Sequence, residues 1–355
     1  MVLPPGLRLL FDALRGRFSE TIPHPPMASD PAMVATAFEI AAANKLTVLV
    51  SDALRAFLSE QRKSDVALYK QAAISRNLAI LREMILITSC LSSRHLDHIF
   101  IKGPLQQAAL YDDYFIRPSL DIDVLVAPVN FHRAVEALAE LGYFVASKSL
   151  WWRTFLGEQH LAKADIRAPT VDLHYRLQQP GSPAPRSTFG YILEGTSTAF
   201  LDAHLPRLND EDVPVLSAIS IVKALYHRET AGSHAVDLFV SLKAGAPAMV
   251  NSFLHRMDRQ GLLGSGLLAL RVVAEVFDVS FEMPLVLPQV SSADLVRMIF
   301  TPDDPSIAWP KRRAVLWELC RKRPLHFATE AARAIASEAT LRLLERRPLP
   351  ATRAI

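Results

Sequence analysis

The chain has 355 residues, half of them hydrophobic, which is enough for two or three packed units around sizeable cores. A formal charge of +3 and a pI near 8.9 are too mildly basic to argue for a nucleic-acid surface, so nucleic acid is admitted as a partner without being indicated. Two cysteines, Cys90 and Cys320, exclude a disulfide framework or cysteine-built zinc cluster, and no apolar run reaches the roughly 18 residues of a membrane span.

With a short, charged stretch at residues 7–14 in place of a signal peptide, the expectation is a soluble, cytoplasmic protein. Residues 1–30 carry a short amphipathic helix and then the Pro-rich connector Ile22-Pro23-His24-Pro25-Pro26. Asp30-Pro31 opens the next helix, with Asp as cap and Pro at the first helical position; it runs, Ala-rich, to about residue 44. Residues 46–57 read as a further helix. From a cap at Ser64-Asp65 a long helical pattern reaches about residue 93, with Leu68, Ala72, Leu78, Leu81, Ile85 and Leu86 at helical spacing. Residues 1–95 thus form an N-terminal helical region.

The run His98-Ile99-Phe100-Ile101 is a short buried strand. Lys102-Gly103-Pro104 ends it, and Pro104 suits the first turn of a helix that places Leu105, Ala108, Ala109 and Leu110 on one face. After Arg117-Pro118 comes the strand Asp121-Ile122-Asp123-Val124-Leu125-Val126. Residues two apart in a strand point the same way, so Asp121 and Asp123 stand together while Ile122 and Val124 face the opposite side. Paired carboxylates need a shared proton, a cationic side chain or a divalent metal. In isolation D-x-D is more often a solvated sheet edge. The ordered string of strand, Lys-Gly turn, helix, arginine and apolar-flanked D-I-D favours the metal.

Residues 128–141 form a helix ending at Gly142, followed by strands at 143–145 and 151–155 and a strand or turn at 157–163. The tryptophans Trp151 and Trp152 read as core and edge packing, and His160 as a weak site candidate. Val171-Asp172-Leu173-His174-Tyr175-Arg176 alternates as a strand with Asp172, His174 and Arg176 on one face. The Pro-containing stretch 178–187 is a loop. Helices follow at 218–228, 234–243, 246–259, 264–277, 292–300, 311–321 and 327–346, the later ones parted by Pro302, Pro305, Pro310 and Pro324.

The segment from Lys102 through the D-I-D strand, together with V-D-L-H at 171–174, resembles the nucleotidyltransferase superfamily related to DNA polymerase beta. It is more closely similar to a bacterial family labelled uncharacterised nucleotidyltransferase, over roughly residues 72–285. The resemblance implies an α+β fold: a small mixed-sheet nucleotidyltransferase core (96–205) with an N-terminal helical layer and a C-terminal helical unit (206–355). It implies transfer from a nucleoside triphosphate, ATP being the expected donor, to a hydroxyl of a small-molecule, peptide, protein or RNA acceptor, among which it does not choose. It also implies Mg²⁺ (or Mn²⁺) held by Asp121, Asp123 and Asp172. Lys102, Gly103, Arg117, His174 and Arg176 are then the cofactor-binding candidates. His174 has a hydrogen-bond partner of the carboxylates as its plainer role, and Arg117 equally a partner for Asp121 or Asp123. The wider superfamily has Gly-Ser where this chain has Gly103-Pro104, so a phosphate-gripping hydroxyl is missing at that turn. His227 and Asp237 fall where the family tends to have a histidine and an aspartate, but packing or capping is their plainer role. Gamma-phosphoryl transfer and a catalytically silent binding module are the alternatives. Near the end, Arg321-Lys322-Arg323, Arg342, Arg346 and Arg347 flank an apolar stripe (Phe327, Ala331, Ile335, Leu341, Leu344). A membrane surface or partner contact is one reading, an ordinary helix with a solvated basic face the plainer one.

Overall fold

The computed structural model describes residues 3–18, 30–146, 151–177, 180–186, 196–242 and 247–345. The Pro-rich connector at 22–26, both ends of the 178–187 loop, Arg346 and Arg347 lie outside the described residues.

Four helices precede the sheet: α1 (Pro5–Phe18), α2 (Pro31–Ala43), α3 (Thr47–Leu54) and α4 (Glu60–Ser92). Asp30 caps α2, its Oδ1 accepting the Ala32 N–H at 3.0 Å. The cap of α4 is Ser59, whose hydroxyl accepts the Arg62 N–H, so the helix starts about a turn before Ser64. Strands β1 (His98–Phe100), β2 (Asp121–Val126), β3 (Phe144–Val145), β4 (Glu158–Ala162), β5 (Thr170–His174), β6 (Thr196–Phe200) and β7 (Ala203–Arg207) form one mixed sheet in the order β3-β4-β5-β2-β1-β7-β6. Pairings β2–β5 and β1–β7 are parallel; the rest are antiparallel. Helices α5 (Pro104–Tyr111) and α6 (Phe131–Glu140) are inserted between strands. The chain continues as α7 (Val213–His227), α8 (Gly232–Ser241), α9 (Pro247–Arg259), α10 (Leu263–Phe277), α11 (Ser292–Phe300), α12 (Arg312–Leu319) and α13 (Pro324–Glu345). This is the α+β architecture expected.

The two-residue period of the strands divides the sheet into unlike faces. Phe100, Ile122, Val124, Leu161, Val171 and Leu173 pack against Leu81, Met84 and Ile87 of α4 and Phe131 and Leu138 of α6. On the other face Ile99, Ile101 and Leu125 meet Val213 and Leu216 at the start of α7. The charged residues of β2, β4 and β5 share this second face, roofed by the C-terminal helices.

One expected strand is absent, and one hairpin is unexpected. Residues 151–155 form no strand: Trp152–Leu156 is a π-helical turn closed by Gly157 at φ 68°. The β6–β7 hairpin has no strand signature, because T-S-T-A-F and A-H-L-P-R place only Leu205 fully inside. In α13 Phe327, Ala331, Leu341 and Leu344 of the apolar stripe are half-buried beside the buried Glu330 and Ser337, and Ile335 faces solvent. No helix among the described residues is long and apolar enough to cross a membrane.

Helices α1–α3 share one apolar cluster with α7–α11. Phe11 meets Phe300 edge-on at 5.0 Å, and the Arg15 side chain donates to the Val276 and Glu275 carbonyls at the end of α10 (2.8 and 2.9 Å). Asn44, the C-cap of α2, donates to the Phe300 carbonyl and accepts the Gly232 N–H, both at 2.8 Å. A Cβ at Gly232 would fall 2.6 Å from both Asn44 Oδ1 and the Phe300 ring. Gly232→Ala should therefore cost about 1–3 kcal/mol in urea unfolding. An unchanged midpoint would refute this joint.

Candidate active site

The parallel register of β2 and β5 sets Asp123 beside Asp172 and Asp121 beside Thr170. On the far side of β5, antiparallel β4 sets His160 beside Asp172 and Glu158 beside His174. One sheet face therefore carries Asp121, Asp123, Asp172, His174, Glu158 and His160. Donor atoms of Asp123, Asp172 and His174 lie within 4.8 Å of one another. His174 Nε2 is 3.0 Å from Asp123 Oδ1 and its Nδ1 is 3.7 Å from Glu158; His160 Nδ1 is 2.6 Å from Asp172 Oδ1.

The loop entering β2 is held by two amides. Asn77 of α4 donates to the Tyr114 and Arg117 carbonyls (2.6 and 2.9 Å) and accepts the Ser119 N–H (2.8 Å). Gln107 of α5 both donates to the Arg117 carbonyl and accepts the Arg117 N–H. These amides fix where the D-I-D strand begins. The Lys-Gly turn adopts φ 79°, ψ −151° at Gly103, a conformation open in practice only to glycine. Ser119 Oγ lies 3.7 Å from where a Gly103 Cβ would sit, so a hydroxyl absent from the turn itself stands next to it, supplied by the loop before β2.

A cleft of about 250 Å³ opens over this face, lined by Lys45, Lys102, Ser119, Asp121, Asp123, Glu158, Asp172, His174, Lys223 and His234 among others. Burial, reinforced by the Asp123 and Asp172 charges, raises the Asp121 carboxyl to about 6. Asp123 behaves oppositely: burial would raise it, but Lys102, 3.8 Å away, and His174 hold it below the usual carboxylate range. Burial raises Glu158. Burial lowers the ammonium groups of Lys45 and Lys223, aided by their cationic neighbours Arg117 and Lys102 respectively. Lys45, directly after Asn44, takes φ 58°, a left-handed conformation that is strained for a side-chain-bearing residue and turns the backbone at the cleft edge.

His234 is held neutral, its pKa pushed down from 6.5 to about 3 by burial and by Lys102, Arg117 and Lys45, against the opposing Asp237 charge. A base whose folded pKa is depressed leaves stability intact above 6.5 and withdraws it as pH falls towards 3. We expect a loss on the order of 1–2 kcal/mol between pH 7 and pH 5 that His234→Gln removes, read by urea unfolding at both pH values. Equal acid sensitivity of the two proteins would refute it.

Asp121, Asp123, Asp172, Lys102, Gly103, His174 and Arg117 all line the cleft. Arg117 is paired with neither Asp121 nor Asp123. Its guanidinium forks onto Asp237 of α8 at 3.0 and 2.5 Å. Asp237, fully buried, also accepts from Tyr111 (2.6 Å) and Gln106 (3.1 Å), a structural role in keeping with the plainer reading of that residue. Burial alone would lower Arg117, and the Asp237 charge more than offsets it. Arg176 falls beyond the end of β5, with its guanidinium over the Tyr175 ring, and lines a smaller neighbouring cavity with Lys102 and Lys223. Lys45, Lys223, Glu158 and His234 went unread as site residues. Only Glu158 had a local signal, the alternation of E-Q-H-L-A; the others reach the cleft from distant helices and a helix end.

A mixed sheet with a paired-carboxylate strand parallel to a third carboxylate, entered through a Lys-Gly turn, is consistent with a nucleotidyltransferase fold. The chain belongs to the family described as uncharacterised nucleotidyltransferase, whose model matches residues 31–278, beginning in α2 and so well before residue 72. Membership makes it a transferase enzyme. None of the curated proteins compared with it matches.

Proposed function

We propose that the protein transfers a nucleoside monophosphate from an NTP, with ATP the expected donor, to an acceptor hydroxyl, with Mg²⁺ or Mn²⁺ held by Asp121, Asp123 and Asp172. The observation that carries this reading is the convergence of Asp123, Asp172 and His174 within 4.8 Å beside Asp121, at the floor of a cleft with lysines on its walls. Asp121 is raised first by burial and then by the neighbouring Asp123 and Asp172 charges, and such hard oxygen donors suit these ions. When bound, two such ions stabilise the charge of both the attacking and the leaving oxygen.

The rest is done by side chains. Lys102, Lys45 and Lys223 attract the triphosphate, and the Gly103 backbone with the Ser119 hydroxyl offers a close seat for its oxygens. The acceptor oxygen forms a bond to the α-phosphorus, the bond from that phosphorus to the bridging oxygen of the pyrophosphate breaks, and pyrophosphate leaves. The hydroxyl proton passes to the Asp172–His160 pair. His174 holds Asp123 in place. This chemistry calls for a compartment rich in NTP and Mg²⁺, the cytoplasm. The test is incubation with each α-³²P NTP, Mg²⁺ or Mn²⁺, and cell extract. Label in a product, abolished by EDTA, is the expected result. Label moving only from γ-³²P NTP would convert the reading to phosphoryl transfer, and no label from either would leave a silent module.

A further inference from the structure

Beyond Asp172 lies a second cavity of about 570 Å³, lined by Trp151, Trp152, Leu156, His160, His227 and Glu229. It meets the carboxylate cleft along a common wall of Glu158, Asp172 and Lys223. If the first cleft holds the triphosphate, an in-line displacement requires the acceptor on the opposite side of the α-phosphorus. The second cavity opens on the side of Asp172 where His160 touches it.

Its lining restricts what can enter. Trp151 is anchored, its Nε1 donating to the Ser337 carbonyl and hydroxyl of α13 (3.1 and 3.0 Å). Trp152 stands across it at 80° and is 37% exposed. The tryptophans sit at the start of the π-helical turn, a rare form found frequently at functional sites. An indole face takes the flat side of a ring or a cation. The polar wall offers three carboxylates (Glu158, Asp172, Glu229) and two imidazoles against the single ammonium of Lys223. Such a wall accepts hydrogen bonds from hydroxyl or amino groups and repels phosphate. The cationic cleft next to it has the opposite preference.

We propose that this cavity is the acceptor site and that it takes a small hydroxylated ring compound of neutral or positive charge. The assignment rests on the nucleotidyl-transfer reading, and the experiment separates the two. The full-length protein with Mg²⁺ and the four α-³²P NTPs receives the small-molecule fraction of a cell extract, split beforehand by ion exchange into anionic and non-anionic pools. Total RNA and the extract's protein fraction are offered separately. Label should enter products of the non-anionic pool alone. Trp152→Ala should raise the half-saturating amount of that pool about tenfold, with Mg²⁺·NTP affinity and melting temperature unchanged, and Trp152→Phe should recover most of the loss.

Label entering the anionic pool, RNA or protein would overturn the acceptor class and leave nucleotidyl transfer standing. Wild-type behaviour of Trp152→Ala would overturn the cavity assignment. Should Trp152→Ala melt early, Glu229→Lys decides: on the exposed rim, it must shift use towards the anionic pool, and an unaltered preference overturns the proposal. No transfer of α-label to any pool overturns the parent reading and this assignment together.

Discussion

Asp123→Asn should lower nucleotidyl transfer by about 10³-fold or more while the protein stays folded. The side chain stands between Lys102 and His174 and opposite Asp172, so the same carboxylate adjoins the lysine, the imidazole and the third carboxylate at the floor of the cleft. Asn keeps the size and an acceptor oxygen for His174 but removes the negative charge that would bind a divalent ion. Losing several kcal/mol of charge stabilisation corresponds to about three powers of ten in rate. Asp121→Asn should behave alike. The measurement is the initial rate of α-label transfer, with urea unfolding as the check on folding. A variant within tenfold of wild type would sink the carboxylate assignment.

Asp237→Ala should destabilise the protein by about 3–5 kcal/mol, because it strands the buried Arg117 guanidinium and leaves Gln106 and Tyr111 without their shared acceptor. The pair joins the loop before β2 to α8, so it fastens the sheet to its helical roof. Removing both charges at once, in Arg117→Met/Asp237→Leu, should recover much of the loss, since an apolar pair of similar volume avoids the desolvation of two ions. Urea midpoints decide it: a loss under about 1 kcal/mol in the single variant, or no recovery in the double, contradicts this role.

The legible part of this protein was local. Asp121 and Asp123 announce themselves through the two-residue period of β2, and Asp172 and His174 through that of β5, because alternation is written into consecutive residues. Gly103-Pro104 marks a turn and a helix start for the same reason, and α11 falls at residues 292–300 as its helical pattern predicts. Where the local signal was poor, the reading failed. The π-helical turn at Trp152–Leu156 is completed by Gly157 and braced through Trp151 by Ser337, 186 residues from it.

The sequence by itself determined the carboxylate strands and the Lys-Gly turn, since each follows from propensity and period within a few residues, and it indicated the α+β class through the family resemblance those motifs carry. Tertiary structure alone decided that α1–α3 pack with α7–α11, that Arg117 pairs with Asp237 across 120 residues, and that Lys45, Lys223 and His234 enter the cleft. These are long-range pairings. A helix face states in its sequence that it will be buried, but the partner that buries it, and the charge it then meets, are set only when the whole chain closes around the sheet.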